Sequence, residues 1–323
     1  MRQALSGNGC SGAKVSVCCG DPMSSNLKNP YAPFDLELQN ALTAGVLAAL
    51  AEDVGPGDVT AQILPEDRMV RAHVVVREEA VLCGAPWFDL VMQKTDPRIR
   101  IEWFFVEGEL MPAYSQVCSL KAPVRALLTA ERVALNFLQL LSGVATRTKE
   151  YVRLVSGTQA RIYDTRKTVP GLRLAQKYAV RVGGGENQRM GLYDAVLIKE
   201  NHIAAAGGVI SAIERARSDS PELSVQVEVE TLEQLDEVLK AGVKSILLDN
   251  FSVEMMKQAV RRTLDRRTPA EKEGLRAVLE ASGGVNMVNV RLIAETGVDR
   301  ISVGELTKNI FATDFSMRIV SDS

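Results

Sequence analysis

The chain has 323 residues, 46% of them hydrophobic, and its 38 basic and 40 acidic residues give a net charge of −2. This near balance argues against general binding of nucleic acid, and no apolar run approaches the roughly 20 residues that a membrane span needs. Two histidines and five irregularly spaced cysteines offer little to a catalytic triad, a multi-histidine metal site or a zinc site. No secretory pattern opens the sequence, so we expect a cytoplasmic protein with free thiols.

The first part of the chain predicts a tail followed by a small mixed domain. Residues 1–33 are rich in Gly, Ser and Asn without periodicity, which indicates a disordered tail. Apolar residues at helical spacing predict a helix over residues 35–52. Alternating apolar residues over 69–130, interrupted by Gly and Pro turns, predict strands. Residues 34–130 are therefore assigned to an N-terminal α+β domain that is sandwich-like.

The rest of the chain alternates between predicted strands and helices. Residues 131–147 predict a helix, and residues 286–296 predict another. Repeated strand–helix units indicate a parallel β/α barrel over 131–305, incomplete because only six or seven strands are found. Residues 261–275 are expected to form a charged, solvated connection. The C-terminal segment, 306–323, is expected to return to the N-terminal domain.

Each predicted barrel strand ends in polar residues or glycine. In β/α barrels the catalytic groups collect at the carboxyl ends of the strands. The predicted strand ends are Asp164–Lys167, Lys199, Glu228, Asp249, Ser282–Gly284 and Ser302–Gly304. We therefore expect these residues to lie in one layer.

Basic residues concentrate between Arg161 and Lys199, where eight basic and three acidic residues leave a charge of +5. Such a local cluster in a mildly acidic chain suggests a site for anions. Three of its members, spaced by four, predict a solvated helix face: Arg173, Lys177 and Arg181. The members that adjoin turns or strand ends are expected in the site itself: Arg166, Lys167, Arg189 and Lys199.

The other strand ends also have chemical interpretations. Glu228 and Asp249 suit ribose hydroxyls or Mg²⁺, although a carboxylate at a strand end often caps a helix. The N–H groups at Ser282–Gly284 and Val303–Gly304 suit phosphate oxygens, although glycine there also serves loop geometry. Of the histidines, His73 is expected to be structural, and His202 either lines the pocket or completes a loop.

Four motifs in this segment resemble the quinolinate phosphoribosyltransferase family: DTRKTVPGLR, KYAV, GGGENQR and LIKENH. The resemblance covers approximately residues 34–323. It implies an incomplete seven-stranded barrel that joins quinolinate to 5-phosphoribosyl-1-pyrophosphate, releasing pyrophosphate and CO₂. One position departs from the family, whose Asn-His-Arg reads Asn187-Gln188-Arg189 here. The Gln188 amide can donate a hydrogen bond, but it cannot carry charge.

The resemblance also implies roles for the candidate residues. The basic residues that would bind the two quinolinate carboxylates are Arg132, Arg166, Lys167 and Arg189, with Arg132 reaching the site of the neighbouring subunit in a homodimer. Lys199 would meet the donor phosphates, and Glu228 and Asp249 would orient the ribose and a Mg²⁺ cofactor. The implied catalytic set is Lys167, Lys199, Glu228 and Asp249. The implied substrate-binding set adds Thr165, Gln188, Ser282, Gly283, Gly284, Ser302, Val303 and Gly304.

Three alternatives remain open at this point. The first is a phosphoribosyltransferase of the same fold that acts on nicotinate or another acid, which the Gln188 departure permits. The second is a non-catalytic, anion-binding homologue linked to molybdenum transport, against which Glu228 and Asp249 argue. The third is a generic phosphate-binding barrel, which explains the glycine-bearing strand ends but leaves the basic cluster unexplained.

Overall fold

The computed structural model describes residues 25–265 and 276–320. Most of the predicted tail, residues 1–24, lies outside the described residues, and so does 266–275 of the predicted solvated connection. Within the described ranges the strands form a four-stranded, a six-stranded and a two-stranded sheet. In the same ranges, no helix combines the length and the apolar character needed to cross a membrane.

The first elements build the N-terminal domain. In chain order they are α1 (Leu36–Val54), a 3₁₀ turn (Ala61–Ile63), β1 (Met69–Val76), β2 (Ala80–Val81), α2 (Ala85–Thr95), β3 (Arg100–Trp103), β4 (Leu110–Met111), β5 (Gln116–Pro123) and the long helix α3 (Val124–Leu154).

The barrel and the C-terminal strand follow. Their elements are β6 (Arg161–Tyr163), α4 (Arg173–Val182), β7 (Val196–Ile198), α5 (Glu200–Ala206), α6 (Val209–Asp219), β8 (Val225–Val229), α7 (Leu232–Lys240), β9 (Ser245–Asp249), α8 (Val253–Asp265), β10 (Val278–Ser282), α9 (Val290–Ala294), β11 (Arg300–Ser302), α10 (Glu305–Lys308) and β12 (Phe315–Val320).

The N-terminal sheet has the order β12-β1-β5-β3 in the described residues, and its pairings are antiparallel. The strand β1 alternates exposed and buried side chains, because one face packs on the core and the other meets solvent. Since β12 pairs along the outer edge of β1, the C-terminal segment lies on this domain. Helix α1 begins where the Asp35 carboxylate accepts a hydrogen bond from the N–H of Leu38 at 2.8 Å.

The larger sheet is parallel and has the order β6-β11-β10-β9-β8-β7 among the described strands. Its two ends, β6 and β7, do not pair, so the barrel is incomplete. One further bridge joins Tyr163 to Glu186 beside β6, where a seventh strand would lie. An incomplete parallel barrel joined to an α+β domain was predicted, and the structure confirms it.

Helix α3 is longer at both ends than the helix predicted over residues 131–147. Its 31 residues begin at Val124, within the predicted strand region, and run past the predicted end at Arg147. The predicted domain boundary between residues 130 and 131 therefore falls inside a continuous helix. Helix α2 was not predicted either, because buried apolar residues such as Trp87 and Phe88 lack the polar face that identifies a surface helix. The predicted helix over 286–296 is shorter and covers α9 only.

The end of the predicted tail, residues 25–33, is ordered. Ser25 forms a bridge with Ile101, and the amide of Asn29 donates to the Tyr178 hydroxyl at 3.0 Å. The Tyr31 hydroxyl donates to the carbonyl of Val182 at 3.2 Å. The prediction of disorder is wrong for these residues. It was based on the polar composition of the segment, which does not show that its side chains form specific contacts with the barrel helix α4.

Glu107 is a buried acid between the two domains. Its carboxylate accepts hydrogen bonds from the N–H of Gly84 at 2.8 Å and of Ala85 at 3.3 Å, at the start of α2. It also accepts one from the Tyr178 hydroxyl of α4 at 2.9 Å. Burial raises the pKa of Glu107 from 4.5 to about 7, against the lowering effect of these donors.

This raised pKa makes folding depend on pH. Between pH 4.5 and 7 the unfolded chain has lost the Glu107 proton while the folded chain retains it, so the free energy of unfolding should fall as pH rises. Over this pH range the free energy of unfolding should fall by about 3 kcal/mol. Urea unfolding of wild type and Glu107→Gln at pH 5 and pH 7.5 measures it, since the amide does not titrate. Equal pH dependence in the two proteins would contradict a raised pKa at Glu107.

Candidate active site

A cavity of about 310 Å³ opens at the carboxyl ends of the barrel strands. Its lining residues are Thr165, Arg166, Lys167, Gln188, Arg189, Leu197, Lys199, Glu228, Leu247, Asp249, Glu280, Ser282 and Ser302. Ten of these were predicted from the sequence, whereas Leu197, Leu247 and Glu280 were not. The residues predicted for the site that do not line the cavity are Arg132, Gly283, Gly284, Val303 and Gly304.

One wall of the cavity is strongly cationic. In residues 25–265 and 276–320, no acid forms an ion pair with Arg166, Lys167 or Arg189. The Arg166 Nε atom is buried and has no hydrogen-bond partner there. Burial lowers the pKa of Arg189, and the positive charge of Arg166 lowers it further. Two neighbouring guanidinium groups with unused donors form a site for a ligand that carries carboxylates or phosphates.

A second wall of the cavity combines a lysine with two carboxylates. Lys199 Nζ forms an ion pair with Glu228 Oε2 at 2.9 Å. Burial raises the pKa of Glu228, Lys199 opposes this effect, and the negative charge of Asp249 adds to it. Asp249, at the end of β9, accepts a hydrogen bond from the amide of Asn250 at 2.8 Å. This wall therefore presents carboxylate oxygens beside a lysine ammonium group, as ligands with both hydroxyl and phosphate groups require.

The glycine strand ends lie beside both walls, Gly283 next to Asn250 and Gly304 next to Lys167. The N–H groups of Gly283 and Gly284 have no acceptor within the described chain, so they remain available to an anion. A Cβ atom on Gly283 would lie 2.1 Å from Asn250 Oδ1, and a Cβ on Gly304 would lie 3.1 Å from Lys167 Cδ. Val303 is only 1% exposed, and its N–H already donates to the carbonyl of Tyr163 at 2.9 Å. The predicted phosphate-binding role of the Val303 N–H is therefore wrong.

A buried ion pair supports the segment that carries Gln188 and Arg189. Lys177 Nζ contacts the Asp164 carboxylate, and the two side chains are 1% and 0% exposed. The prediction that Lys177 lies on a solvated helix face is therefore wrong, although Arg181 on the same helix is exposed. Burial raises the pKa of Asp164 and lowers the pKa of Lys177. The pair also holds the backbone, because Lys177 Nζ donates to the carbonyl of Gln188 at 2.9 Å.

Glycine is needed where this segment turns next to α3. A Cβ atom on Gly183 would lie 2.4 Å from the carbonyl oxygen of Ala145 and 2.6 Å from Thr148 Cβ. Any other residue would push the end of α4 away from α3. Gly183 thus permits a close contact between the two helices.

The remaining candidates have clear positions. Arg132 is exposed on α3 and lies outside the cavity of its own chain. His202 Nδ1 accepts a hydrogen bond from the N–H of Lys199 at 3.1 Å, so it caps α5. Its position therefore favours the loop interpretation of the two left open. His73 lies in β1 between Arg318 and Ser119 of the neighbouring strands.

Comparison with known proteins gives a consistent result across the chain. A model of the quinolinate phosphoribosyl transferase C-terminal domain matches residues 144–318, and a model of the N-terminal domain matches residues 58–142. The chain belongs to the quinolinate phosphoribosyl transferase family. It is 42% identical over 273 residues to the carboxylating nicotinate-nucleotide pyrophosphorylase of Mycobacterium leprae, covering 83% of this chain and 94% of that protein. A probable enzyme of the same name from Bacillus subtilis is 38% identical over 269 residues, covering 83% and 90%.

Solved structures of the family have the same architecture. The nicotinate-nucleotide pyrophosphorylase of Francisella tularensis superposes with a TM-score of 0.82 at 43% identity, covering 87% of this chain and 96% of that one. Human nicotinic acid phosphoribosyltransferase superposes with a TM-score of 0.59 at 13% identity. The second likeness concerns the fold alone. The similarity in sequence and structure therefore extends over both domains.

Proposed function

We propose that the protein transfers the phosphoribosyl group of 5-phosphoribosyl-1-pyrophosphate to quinolinate, giving nicotinate mononucleotide, pyrophosphate and CO₂ for NAD biosynthesis. The observation that carries the proposal is the pair of guanidinium groups, Arg166 and Arg189, which line one cavity and form no ion pair within the described chain. A pyridine ring with two adjacent carboxylates supplies the charge that this wall lacks. The names of the related enzymes agree with this assignment.

The two walls divide the substrates between them. Arg166, Lys167 and Arg189 would bind the quinolinate carboxylates and hold the ring nitrogen toward the second wall. Lys199 in the cavity would bind donor phosphate oxygens, together with the free N–H groups of Gly283 and Gly284, which follow the cavity-lining residue Ser282. Binding both reactants in one cavity brings the attacking nitrogen close to the ribose carbon.

The carboxylates act where positive charge develops. As pyrophosphate leaves, the ribose carbon becomes oxocarbenium-like, and Glu228 and Asp249 supply fixed negative charge on that side. The product ring carries a positive nitrogen, which stabilises the electron pair left on the ring carbon when the 2-carboxylate departs as CO₂, and that carbon then takes up a proton from water. No pyridoxal or thiamine group is required for that step.

We propose Mg²⁺ as the metal that accompanies the ribosyl donor. Among the described residues, no group of three or more His, Cys, Asp or Glu side chains has the arrangement of a metal site. Mg²⁺ is often held by one or two carboxylates together with substrate phosphates, and Glu228 and Asp249 fit that arrangement. When bound, the ion neutralises the pyrophosphate that leaves.

We also propose that the enzyme is a cytoplasmic homodimer with shared sites. The exposed position of Arg132 supports sharing, because this side chain is outside the cavity of its own chain but free to enter another. The buried, unpaired thiols of Cys83 and Cys118 suit a reducing compartment. Analytical ultracentrifugation and cell fractionation would test these two parts separately.

Product formation from quinolinate and from nicotinate tests the activity. Purified protein is incubated with 5-phosphoribosyl-1-pyrophosphate, Mg²⁺ and one of the two acids, and nicotinate mononucleotide and CO₂ are measured. Turnover of quinolinate with stoichiometric CO₂ supports the proposal. Turnover of nicotinate alone would overturn it in favour of a nicotinate enzyme, and no turnover of either would favour an anion-binding homologue.

Arg189→Ala should raise the KM for quinolinate by about 100-fold, since it removes a charge-assisted contact to a carboxylate. The KM for the ribosyl donor should change much less because Arg189 lies on the other wall. Steady-state kinetics with each substrate varied in turn measures both constants. Arg181→Ala is the matched control, because Arg181 is exposed on α4. A larger change for the donor than for quinolinate would contradict the assignment of the walls.

A further inference from the structure

Glu280 is a buried acid below the cavity that the sequence analysis did not single out. It lies in β10, its residue is 0% exposed, and its carboxylate reaches the cavity lining. Among residues 25–265 and 276–320, the donors to this carboxylate are neutral side chains. Gln188 Nε2 donates to both carboxylate oxygens at 2.6 Å, Gln226 Nε2 donates to Oε2 at 2.9 Å, and the Ser302 hydroxyl donates to Oε1.

Gln188 is held at each of its polar atoms. Its backbone N–H donates to Asp164 Oδ1 at 2.8 Å, and its carbonyl accepts from Lys177 Nζ at 2.9 Å. Its side-chain NH₂ group donates to the Glu280 carboxylate and, at 3.4 Å, to Gln226 Oε1. Its side-chain oxygen accepts a hydrogen bond from the N–H of Arg189 at 3.1 Å. No donor of Gln188 is therefore left for a substrate.

We propose that Glu280 is a positioning residue that acts through Gln188 to hold Arg189 on the cationic wall of the cavity. The inference deepens the proposed function and rests on it for its kinetic test only. It also changes the role assigned to Gln188, which was expected to donate a hydrogen bond to quinolinate. In the structure its amide instead connects a buried charge to the backbone of the residue that would bind the substrate.

The charge of Glu280 is what fixes this connection. A carboxylate only accepts hydrogen bonds, so it requires the NH₂ end of the Gln188 amide to face Glu280. The oxygen end then points toward the N–H of Arg189. An amide at position 280 both donates and accepts, so Gln188 could rotate its own amide and lose the acceptor for Arg189. Glu280→Gln therefore tests the charge with almost no change in volume.

Hydrogen exchange in the ligand-free protein tests the positioning directly. In Glu280→Gln the backbone N–H of Arg189 should exchange about tenfold faster, because its acceptor is no longer oriented. The backbone N–H of Gln188 is the internal control, because it is bound to Asp164 and should keep its rate. If both rates stay unchanged, or if both rise equally, the proposal is overturned. If Glu280→Gln does not fold, Glu280→Asp keeps the charge but shortens its reach, and an unchanged Arg189 rate there would overturn it.

Kinetics then tests the route through Gln188. Glu280→Gln should raise the KM for quinolinate by about tenfold, as expected from the loss of one hydrogen bond, and leave the KM for the ribosyl donor nearly unchanged. In the background of Gln188→Ala the same change should have an effect of at most about twofold. An equal effect in both backgrounds would show that Glu280 acts elsewhere. Wild type that does not use quinolinate would refute the proposed function, and the exchange rates would still decide the role of Glu280.

Discussion

Arg132→Ala is expected to lower turnover by up to about 1000-fold, the upper range for loss of one charged group that contacts the reacting ligand. The side chain is exposed on α3, so its loss should leave the fold intact. Steady-state turnover and the thermal unfolding temperature measure the two effects. In a monomer with a self-contained site the same change would be harmless, because Arg132 does not line the cavity of its own chain.

Mixing two inactive variants provides the decisive control. In a dimer formed from Arg132→Ala and Lys199→Ala chains, one of the two sites has both groups intact. With random subunit exchange, half of the dimers are mixed, so about a quarter of wild-type activity should return. Exchange is verified by mass spectrometry of differently labelled chains. Verified exchange without any recovered activity would contradict the shared site.

Lys177→Met is expected to cost about 3–5 kcal/mol of folding free energy, because it leaves the Asp164 carboxylate buried without its cation. Asn187 and the N–H of Gln188 still donate to this carboxylate, at 2.6 Å and 2.8 Å, but neither carries charge. Urea unfolding measures the loss. Arg181→Met on the exposed side of the same helix is the matched control and should change the free energy of unfolding little.

The pH dependence of that loss identifies its cause. Burial already raises the pKa of Asp164 above 3.8, and removal of Lys177, which lowers it, raises it further. Above pH 3.8 the unfolded chain releases this proton while the folded variant retains it, so the variant loses stability as pH rises. The deficit relative to wild type should therefore be smaller at pH 5 than at pH 8. Adding Asp164→Asn should restore part of the stability, and an equal deficit at both pH values would point to lost packing instead.

The sequence predicted the barrel because its signal is local and repeated. Each parallel strand is a short apolar run followed by a polar residue, and Lys199 and Asp249 were located in this way. The burial of Lys177 could not be predicted from such a local pattern, because the spacing of Arg173, Lys177 and Arg181 is also typical of a solvated helix face. What decides its burial is Asp164, on another element, and only the tertiary structure brings the two together.

Glu280 is a site residue that the sequence could have indicated. It is an acid within the apolar run Val278–Ala281 of a predicted strand. Charged residues are seldom fully buried without a partner, so an acid at such a position indicates either an outward-facing side chain or an internal hydrogen-bond network. Periodicity alone does not separate these cases in a strand of five residues. The neutral donors Gln226 and Ser302 lie on different strands, where no local pattern connects them.

The continuity of α3 limits how the enzyme can be divided or recombined. The two family models meet at residues 142 and 144, in the middle of this helix. Leu138 and Leu141 on one side and Val144 and Tyr151 on the other are all buried in one core cluster. A chain cut at that point would expose these side chains in both fragments. The barrel is therefore not a transferable module, and chimaeras between relatives should exchange the helix whole, with their junctions placed in the loops on either side of it.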